Sequence, residues 1–209
     1  MTTELEPTPP MTVEPTKGSL VLHMIISVDG FISDGQGGVN PAAQWDEEVH
    51  RFYLETFREA RAVVFGRGIF GAYFGHWRTV AAGTVPSQND VELAWARRLT
   101  DMPKYVVSAT LASAPDNTQV LSGDIVAKVA ELKRTQAGRH LLICGPSLFA
   151  QFTRARLIDE YMLFVCPNLM AHGDRLAREI PEGLKLTYEG FLPFGSGMNL
   201  MRYRPLYLS

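Results

Sequence analysis

Residues 141–152 read LLICGPSLFAQF, a short apolar run that stops at a Gly-Pro pair and continues as a helical pattern. Proline is favoured at the first position of a helix, and Pro146 stands at that position here. The stretch therefore predicts a buried strand, a glycine turn and a helix in immediate succession. Backbone N–H groups at the start of such a helix stabilise an anion, so the turn is a candidate phosphate site.

A second stretch, AVVFGRGIFGAYF at 62–74, repeats this arrangement with a strand at 62–65 and a short helix at 68–74. Its GRGIFG run matches the G-x-G-x-x-G pattern of dinucleotide-binding folds. It does not follow the first strand of the chain, and no acidic residue follows at a strand end to bind a ribose. We therefore do not expect a Rossmann fold. Arg67 still adds a permanent cation suited to phosphate, although a tight turn with a solvated arginine is an equal alternative.

The rest of the chain continues this alternation of strands and helices. Further strands are predicted at 19–26, 104–108, 140–144 and 160–166, and helices at 46–60, 91–99, 123–135 and 146–156. The segments 184–191 and 198–206 are predicted to form a hairpin. This order predicts an α/β fold in one domain: a mostly parallel central sheet, helices on both faces and an antiparallel C-terminal hairpin.

Composition limits the class of protein. The chain has 209 residues and a net charge of −2, so no general basic field attracts nucleic acid or an anionic membrane. Residues 1–18 are rich in proline and threonine and are expected to be a disordered tail before a domain at 19–209. The two cysteines, Cys144 and Cys166, lie in apolar runs and are interpreted as buried free thiols, which favours a cytoplasmic protein. The histidines lack metal-ligand spacing, so no metal site is predicted.

The two glycine turns follow two strands of one predicted sheet. Open α/β sheets bind ligands beyond the carboxyl ends of their strands, so a diphosphate-bearing cofactor could bridge the turns. The expected contacts are Gly66 and Arg67 in one turn and the backbone or side chain of Gly145, Ser147 and Leu148 in the other. Ser108 and Thr110 lie at the end of a third strand and could also contact the cofactor, although hydroxyl residues at such positions commonly form turns.

Several motifs together resemble a known family. SVDGFIS, FGRGIF, KYVVSATL, HLLICGPSLFAQFTRARLIDEYML and the final glycine-containing hairpin occur in an order similar to that of the dihydrofolate-reductase-like superfamily. The sequence most resembles the reductase half of the riboflavin-biosynthesis deaminase/reductase and its free-standing relatives. The resemblance implies NADPH as cofactor, held at Gly66, Arg67, Ser108, Gly145 and Ser147. In relatives a polar residue and a hydroxyl residue follow the Gly-Arg pair, whereas this chain has Gly68 and Ile69.

Hydride transfer to a C=N or C=O bond requires a proton for the neighbouring atom. Two acids are candidates: Asp29, just past the first strand, and Asp46, at the start of the first helix. Each has a structural alternative, since aspartate is common in turns and at helix N-caps. If Asp29 is the acid, its pKa should be raised. We expect Ser27 and Trp45 to line the same cleft and to contact the substrate.

The substrate is expected to be a small heterocycle similar to a pterin or pyrimidine. The loop at 31–45 contains no lysine or arginine, which disfavours a phosphorylated substrate. No H-x-E with P-C-x-x-C is present, which excludes the zinc deaminase chemistry. The alternative to a reductase is a module of the same fold that binds a nucleotide or small ligand without turnover. We also expect a homodimer formed through the strands at 184–206, since relatives pair there.

Overall fold

An eight-stranded sheet is the centre of the computed structural model, which describes residues 17–35, 45–180 and 182–207. The predicted tail at 1–18 lies outside the described residues except for Lys17 and Gly18. The strands are β1 Gly18–Ser27, β2 Phe31–Ser33, β3 Ala60–Gly66, β4 Lys104–Val107, β5 Thr118–Leu121, β6 Gly138–Ile143, β7 Glu160–Cys166, β8 Asp174–Arg175, β9 Leu186–Pro193 and β10 Asn199–Pro205.

The helices lie between these strands. They are α1 Glu47–Glu59, α2 Arg67–Ile69, α3 Gly75–Ala81, α4 Asp90–Asp101, α5 Ile125–Thr135 and α6 Pro146–Arg154, with a π-helical turn, Phe70–Phe74, joining α2 to α3. This helical stretch is longer than predicted, since it runs past residue 74 and ends at Ala81.

The strand order in the large sheet is β5-β4-β3-β6-β1-β7-β10-β9. The six strands from β5 to β7 run parallel, and β10 and β9 pair antiparallel at one edge. The predicted fold class is therefore confirmed. The sequence prediction missed β5 and the small sheet that β2 forms with β8, because these strands are only two to four residues long.

Helices cover both faces of the sheet, as predicted. Two residues of β7 mark the two faces, because side chains alternate along a strand. The ring of Phe164 lies 4.8 Å from Tyr53 of α1, whereas Tyr161 lies 6.0 Å from Phe149 of α6. A strand covered on both sides is expected to be apolar nearly throughout, which explains the sequence of β7.

The first helix begins where its sequence predicts. The Asp46 carboxylate accepts a hydrogen bond of 2.8 Å from the backbone N–H of Val49, and two glutamates in the first turn suit the positive end of the helix. The cap fixes the entry of the chain into α1. It also places Trp45 directly above the helix start.

Charged side chains close the amino-terminal ends of the parallel strands. Lys104 is buried, and its ammonium donates to the carbonyls of Leu99, Thr100 and Met102 at 2.6–3.1 Å, which completes the C-terminus of α4. The carboxylate of Glu160 in β7 accepts from Arg139 of β6 and Arg202 of β10 at 2.8–3.1 Å.

Among the residues described, no helix combines the length and apolar character needed to cross a membrane.

Candidate active site

The two glycine turns lie side by side at the carboxyl edge of the sheet. Strands β3 and β6 are neighbours, with Phe65 opposite Ile143. A Cβ atom at Gly66 would lie 3.3 Å from Cα of Cys144 and 3.4 Å from the nitrogen of Gly145. Only a residue without a side chain fits this approach comfortably. The structure therefore brings together the two turns that the sequence suggested as phosphate contacts.

The turn before α6 presents the start of a helix with a glycine cap. Gly145 is the N-cap, has extended backbone angles and provides no side-chain cap. Pro146 has no N–H, so Ser147 and Leu148 carry the first N–H groups of the helix. The side chain of Ser147 is exposed and that of Leu148 is half-buried. Backbone donors at this position suit an anion.

A carboxylate already reaches this helix start. The Ser147 hydroxyl donates a hydrogen bond of 2.8 Å to Oε1 of Glu179. Nε of Arg178 lies 3.4 Å from the same oxygen, and Arg154 donates to the backbone carbonyl of Glu179 at 2.7 Å. The sequence analysis missed Glu179 because it lies 32 residues beyond Ser147. No local pattern connects the two positions.

Arg67 opens α2 beside the second turn, and it is exposed. Its guanidinium lies along its own helical stretch, 3.5 Å from where a Cβ atom on Gly71 would be. A Cβ atom at Gly68 would meet nothing within 4 Å. The cation is therefore accessible at the carboxyl edge, beside the turn that meets Gly145.

Ser108, the next candidate, has a clear structural role. Its side chain is buried, and its oxygen accepts hydrogen bonds from the N–H groups of Thr110 at 3.2 Å and Leu111 at 3.0 Å. This is the turn role that the sequence left open as the alternative. Thr110 is exposed just beyond β4. Both residues lie at the same edge of the sheet as the glycine turns, since β4 pairs with β3 in parallel.

The expectation of a raised pKa for Asp29 is wrong. Its carboxylate accepts from the Ser27 hydroxyl at 2.6 Å and from the N–H groups of Met170 and Ala171 at 3.1 and 2.9 Å. The hydrogen bond from Ser27 is the largest cause that lowers the pKa of Asp29 from 3.8 to about 2. A carboxylate held ionised in this way ties the β1 turn to the loop after β7. It has no proton to give at neutral pH.

Ser27 belongs to the same turn. It is fully buried. Its hydroxyl donates to Asp29, and its oxygen accepts from the N–H of Phe31 at 3.0 Å. Both hydrogen bonds hold the turn, and a contact between Ser27 and a substrate stays a prediction.

Trp45 is half-buried and belongs to an aromatic cluster that the sequence did not reveal. Its ring stacks on His50 at 5.5 Å and on Trp95 of α4 at 5.8 Å, and it meets Tyr53 edge-on at 4.9 Å. Burial lowers the pKa of His50. Its Nε2 lies 3.6 Å from Glu92. The cluster packs the start of α1, which carries the Asp46 cap, against Trp95 of α4.

An opening lies on the face of the sheet that is covered by α6, opposite α1. It is an apolar cavity of about 420 Å³ between β1, β7 and α6, with Ile26, Phe149, Leu163, Leu176 and Ile180 among its lining residues. Phe149 is two residues beyond Ser147, so the cavity adjoins the start of α6. A cavity of this size accommodates a small-molecule group.

Both cysteines are free and buried, as predicted. Burial raises the pKa of the Cys166 thiol to about 11 and that of Cys144 still further, so neither is a nucleophile at neutral pH. Within the described part of the chain, no three His, Cys, Asp or Glu side chains are grouped to hold a metal ion.

The sequence matches a known protein family and a curated relative. Residues 19–200 match the family described as the RibD C-terminal domain. The chain is 22% identical over 179 residues to the uncharacterized protein YyaP of Bacillus subtilis, covering 86% of this chain and 90% of that one.

The solved structures that share the fold include a reductase-like protein and a reductase. One is a pyrimidine reductase-like protein from Corynebacterium diphtheriae, with a TM-score of 0.60, 14% identity and 93% of each chain covered. The other is the dihydrofolate reductase of Enterococcus faecalis in complex with NADP(H), with a TM-score of 0.58 and 13% identity, covering 90% of this chain and 96% of that one. The predicted dihydrofolate-reductase-like fold is confirmed.

Proposed function

We propose, since the chain belongs to the RibD C-terminal domain family, that it is an NADPH-dependent oxidoreductase. In this proposal it transfers a hydride to a C=N or C=O bond of a small heterocycle similar to a pterin or pyrimidine. The observation that carries the proposal is the close approach of Gly66 to Gly145. Two helix starts and the Arg67 cation lie at the same edge of the sheet as this contact, and helix starts and cations of this kind would stabilise a dinucleotide diphosphate.

The residues present fit such a cofactor. Gly66 and Gly145 let the backbone approach the diphosphate, and the N–H groups of Ser147 and Leu148 are available to donate to it. Arg67 supplies a permanent charge for a further phosphate. NADPH supplies the hydride when bound. This chain contributes the positioning of the cofactor and a place for the substrate beside it.

The proton donor in this proposal is Asp46 or a water molecule, because both oxygens of the Asp29 carboxylate accept hydrogen bonds within the fold. Asp46 uses Oδ1 to cap α1, which leaves its second oxygen to meet a substrate beside Trp45. Asp46→Asn preserves the cap and removes the acid, because asparagine is also a preferred N-cap. We expect turnover to fall by roughly 10²-fold, the usual loss when a general acid is removed.

The test is a titration of the purified chain with NADPH and NADH, followed by fluorescence. Oxidation of NADPH is then measured with dihydrofolate and with a panel of pterins and pyrimidines. Saturable NADPH binding followed by oxidation with one of these substrates supports the proposal. Absence of binding by both nucleotides contradicts it.

One observation favours a second candidate, a module that binds a nucleotide or small ligand without turnover. The carboxylate best placed beside the β1 turn, Asp29, is fully engaged in hydrogen bonds within the fold, so that turn offers no proton donor. This candidate predicts saturable NADPH binding with no oxidation across the whole panel. The reductase proposal predicts saturable NADPH binding and also oxidation of NADPH with at least one substrate of the panel.

We also propose that the chain forms a homodimer through β9. This strand ends the sheet and exposes Leu186 (39%) and Tyr188 (56%). An exposed apolar edge strand pairs readily with another strand. Sedimentation should show a dimer, and Tyr188→Lys should shift the population toward monomer. A wild-type monomer at all concentrations contradicts this proposal.

A further inference from the structure

A carboxylate lies beside the position proposed for the cofactor's phosphate. Glu179 accepts from the Ser147 hydroxyl at 2.8 Å in the first turn of α6. A negative side chain at this place suits the positive end of the helix. Glu179 therefore places a negative charge beside the helix start, where a ligand phosphate would also bring one.

A carboxylate and a phosphate cannot share this position. Both are anions, and like charges a few ångströms apart repel each other by an amount that grows as water is excluded. A ligand phosphate that approaches the N–H groups of Ser147 and Leu148 has to displace the Glu179 side chain or bind against its charge. Either route weakens binding.

The local contacts allow the carboxylate to leave without unfolding its segment. The backbone carbonyl of Glu179 is held by Arg154 at 2.7 Å, independently of the side chain. Arg178 also pairs with Asp174, so that arginine keeps one acidic partner after Glu179 moves. The side chain of Glu179 is 38% exposed, and solvent can receive it.

The apolar cavity is an independent indication of a ligand beside this position. Leu176 and Ile180, which flank Glu179 in the chain, line the cavity together with Phe149 of α6. The segment that carries the carboxylate therefore also borders space for an uncharged group. A molecule with a phosphate at α6 could place its ring or another apolar part in this space.

We propose that Glu179 occupies the phosphate position at the start of α6 and that a diphosphate ligand binds by displacing it, so that Glu179 sets the affinity for anionic ligands. This inference rests on the proposed cofactor site and adds a residue that limits its affinity. Removal of the charge should strengthen binding of phosphate-bearing ligands.

The experiment compares the wild-type protein with Glu179→Gln, which keeps an acceptor for Ser147 and removes the charge. NADPH should bind about threefold to tenfold more tightly to the variant, the range expected for loss of one nearby charge. Glu55→Gln is the control, because it removes an equal charge from the exposed face of α1. It should leave the affinity unchanged.

Inorganic pyrophosphate, followed by its effect on the melting temperature, separates this inference from the proposed function. If NADPH binds neither protein, the cofactor proposal fails, but tighter pyrophosphate binding by Glu179→Gln still supports the role of Glu179. Equal affinities of the wild type and Glu179→Gln for both probes overturn the inference. Weaker binding by the variant, or no binding of either probe to either protein, also overturns it.

Discussion

The two edges of the parallel sheet use their polar groups in opposite ways. At the amino-terminal edge, the Lys104 ammonium donates to three carbonyls, and Glu160 accepts from arginines on two other strands. At the carboxyl edge, Gly66 and Gly145 bring two backbone turns together, and Arg67 stands exposed beside them. One edge satisfies its charges within the fold, whereas the other leaves donors accessible.

The difference between the two edges predicts which substitutions change stability and which change ligand binding. Buried charges destabilise a fold when a partner is removed, because the remaining charge loses both its partner and its water. Exposed donors contribute little to stability, but they are available to a ligand. Substitutions of the charged groups at the amino-terminal edge should therefore change unfolding and spare binding, and substitution of the exposed Arg67 at the carboxyl edge should do the reverse.

The largest effect on stability is expected for Glu160→Ala. The side chains of Glu160, Arg139 and Arg202 are only 13–24% exposed, and the substitution leaves two arginines without their carboxylate. We expect a loss of about 2–4 kcal/mol in the free energy of unfolding, measured by urea denaturation. Glu131→Ala removes an exposed ion pair with Arg134 and should change the free energy of unfolding much less. Equal losses in the two variants would contradict the contrast between the edges.

Lys104→Met tests the other charged group of this edge. Methionine fills a similar volume but leaves the last carbonyls of α4 without a donor, so the expected loss is about 1–3 kcal/mol. Lys128→Met is the matched control, because its ammonium donates to one exposed carbonyl, that of Ser122. NADPH affinity should be the same in both variants. If Lys128→Met lost as much free energy of unfolding as Lys104→Met, burial of the Lys104 ammonium would not be the cause of its effect.

Some elements of this structure could be predicted from the sequence, and others could not. The helix α6 and the strand β7 follow from Pro146, the preceding glycine and an apolar run, which are local properties. The strand β5 was missed because four residues, of which only Leu121 is buried, carry little periodicity. The contact between Ser147 and Glu179 depends on the path of the chain through β7 and β8, so no local pattern predicts it.

The acids show the same limit. Asp46 was predicted to start a helix, and it caps α1. The raised pKa expected for Asp29 was wrong, because the groups that lower it include the N–H groups of Met170 and Ala171, which are distant in sequence. The end of a predicted strand indicates which edge of the sheet a carboxylate lies at. The pKa of that carboxylate depends on hydrogen-bond donors from other loops, which the local sequence does not reveal.

At the carboxyl edge, Arg67→Ala should weaken binding and leave stability unchanged. One charge-assisted contact to phosphate contributes about 1.5–3 kcal/mol, which corresponds to at least about a tenfold loss of NADPH affinity. NADH lacks the additional phosphate and should bind nearly as before. The measurement is a parallel fluorescence titration with both nucleotides. Equal losses for NADPH and NADH would show that Arg67 contacts the diphosphate that they share or serves only the fold.

Asp29 gives the smallest effect, and its dependence on pH distinguishes a structural carboxylate from an acid. Its pKa in the folded protein is about 2, below the usual 3.8, so its stabilising contribution is present above about pH 4 and is lost as the pH falls toward 2. Asp29→Asn should therefore lower the melting temperature at pH 7, and the difference from the wild type should shrink between pH 4 and pH 2. The control is Asp90→Asn at the exposed start of α4, which should change the melting temperature at pH 7 less than Asp29→Asn does. A difference that stays constant down to pH 2 would mean that the Ser27, Met170 and Ala171 hydrogen bonds stabilise the turn without help from the charge.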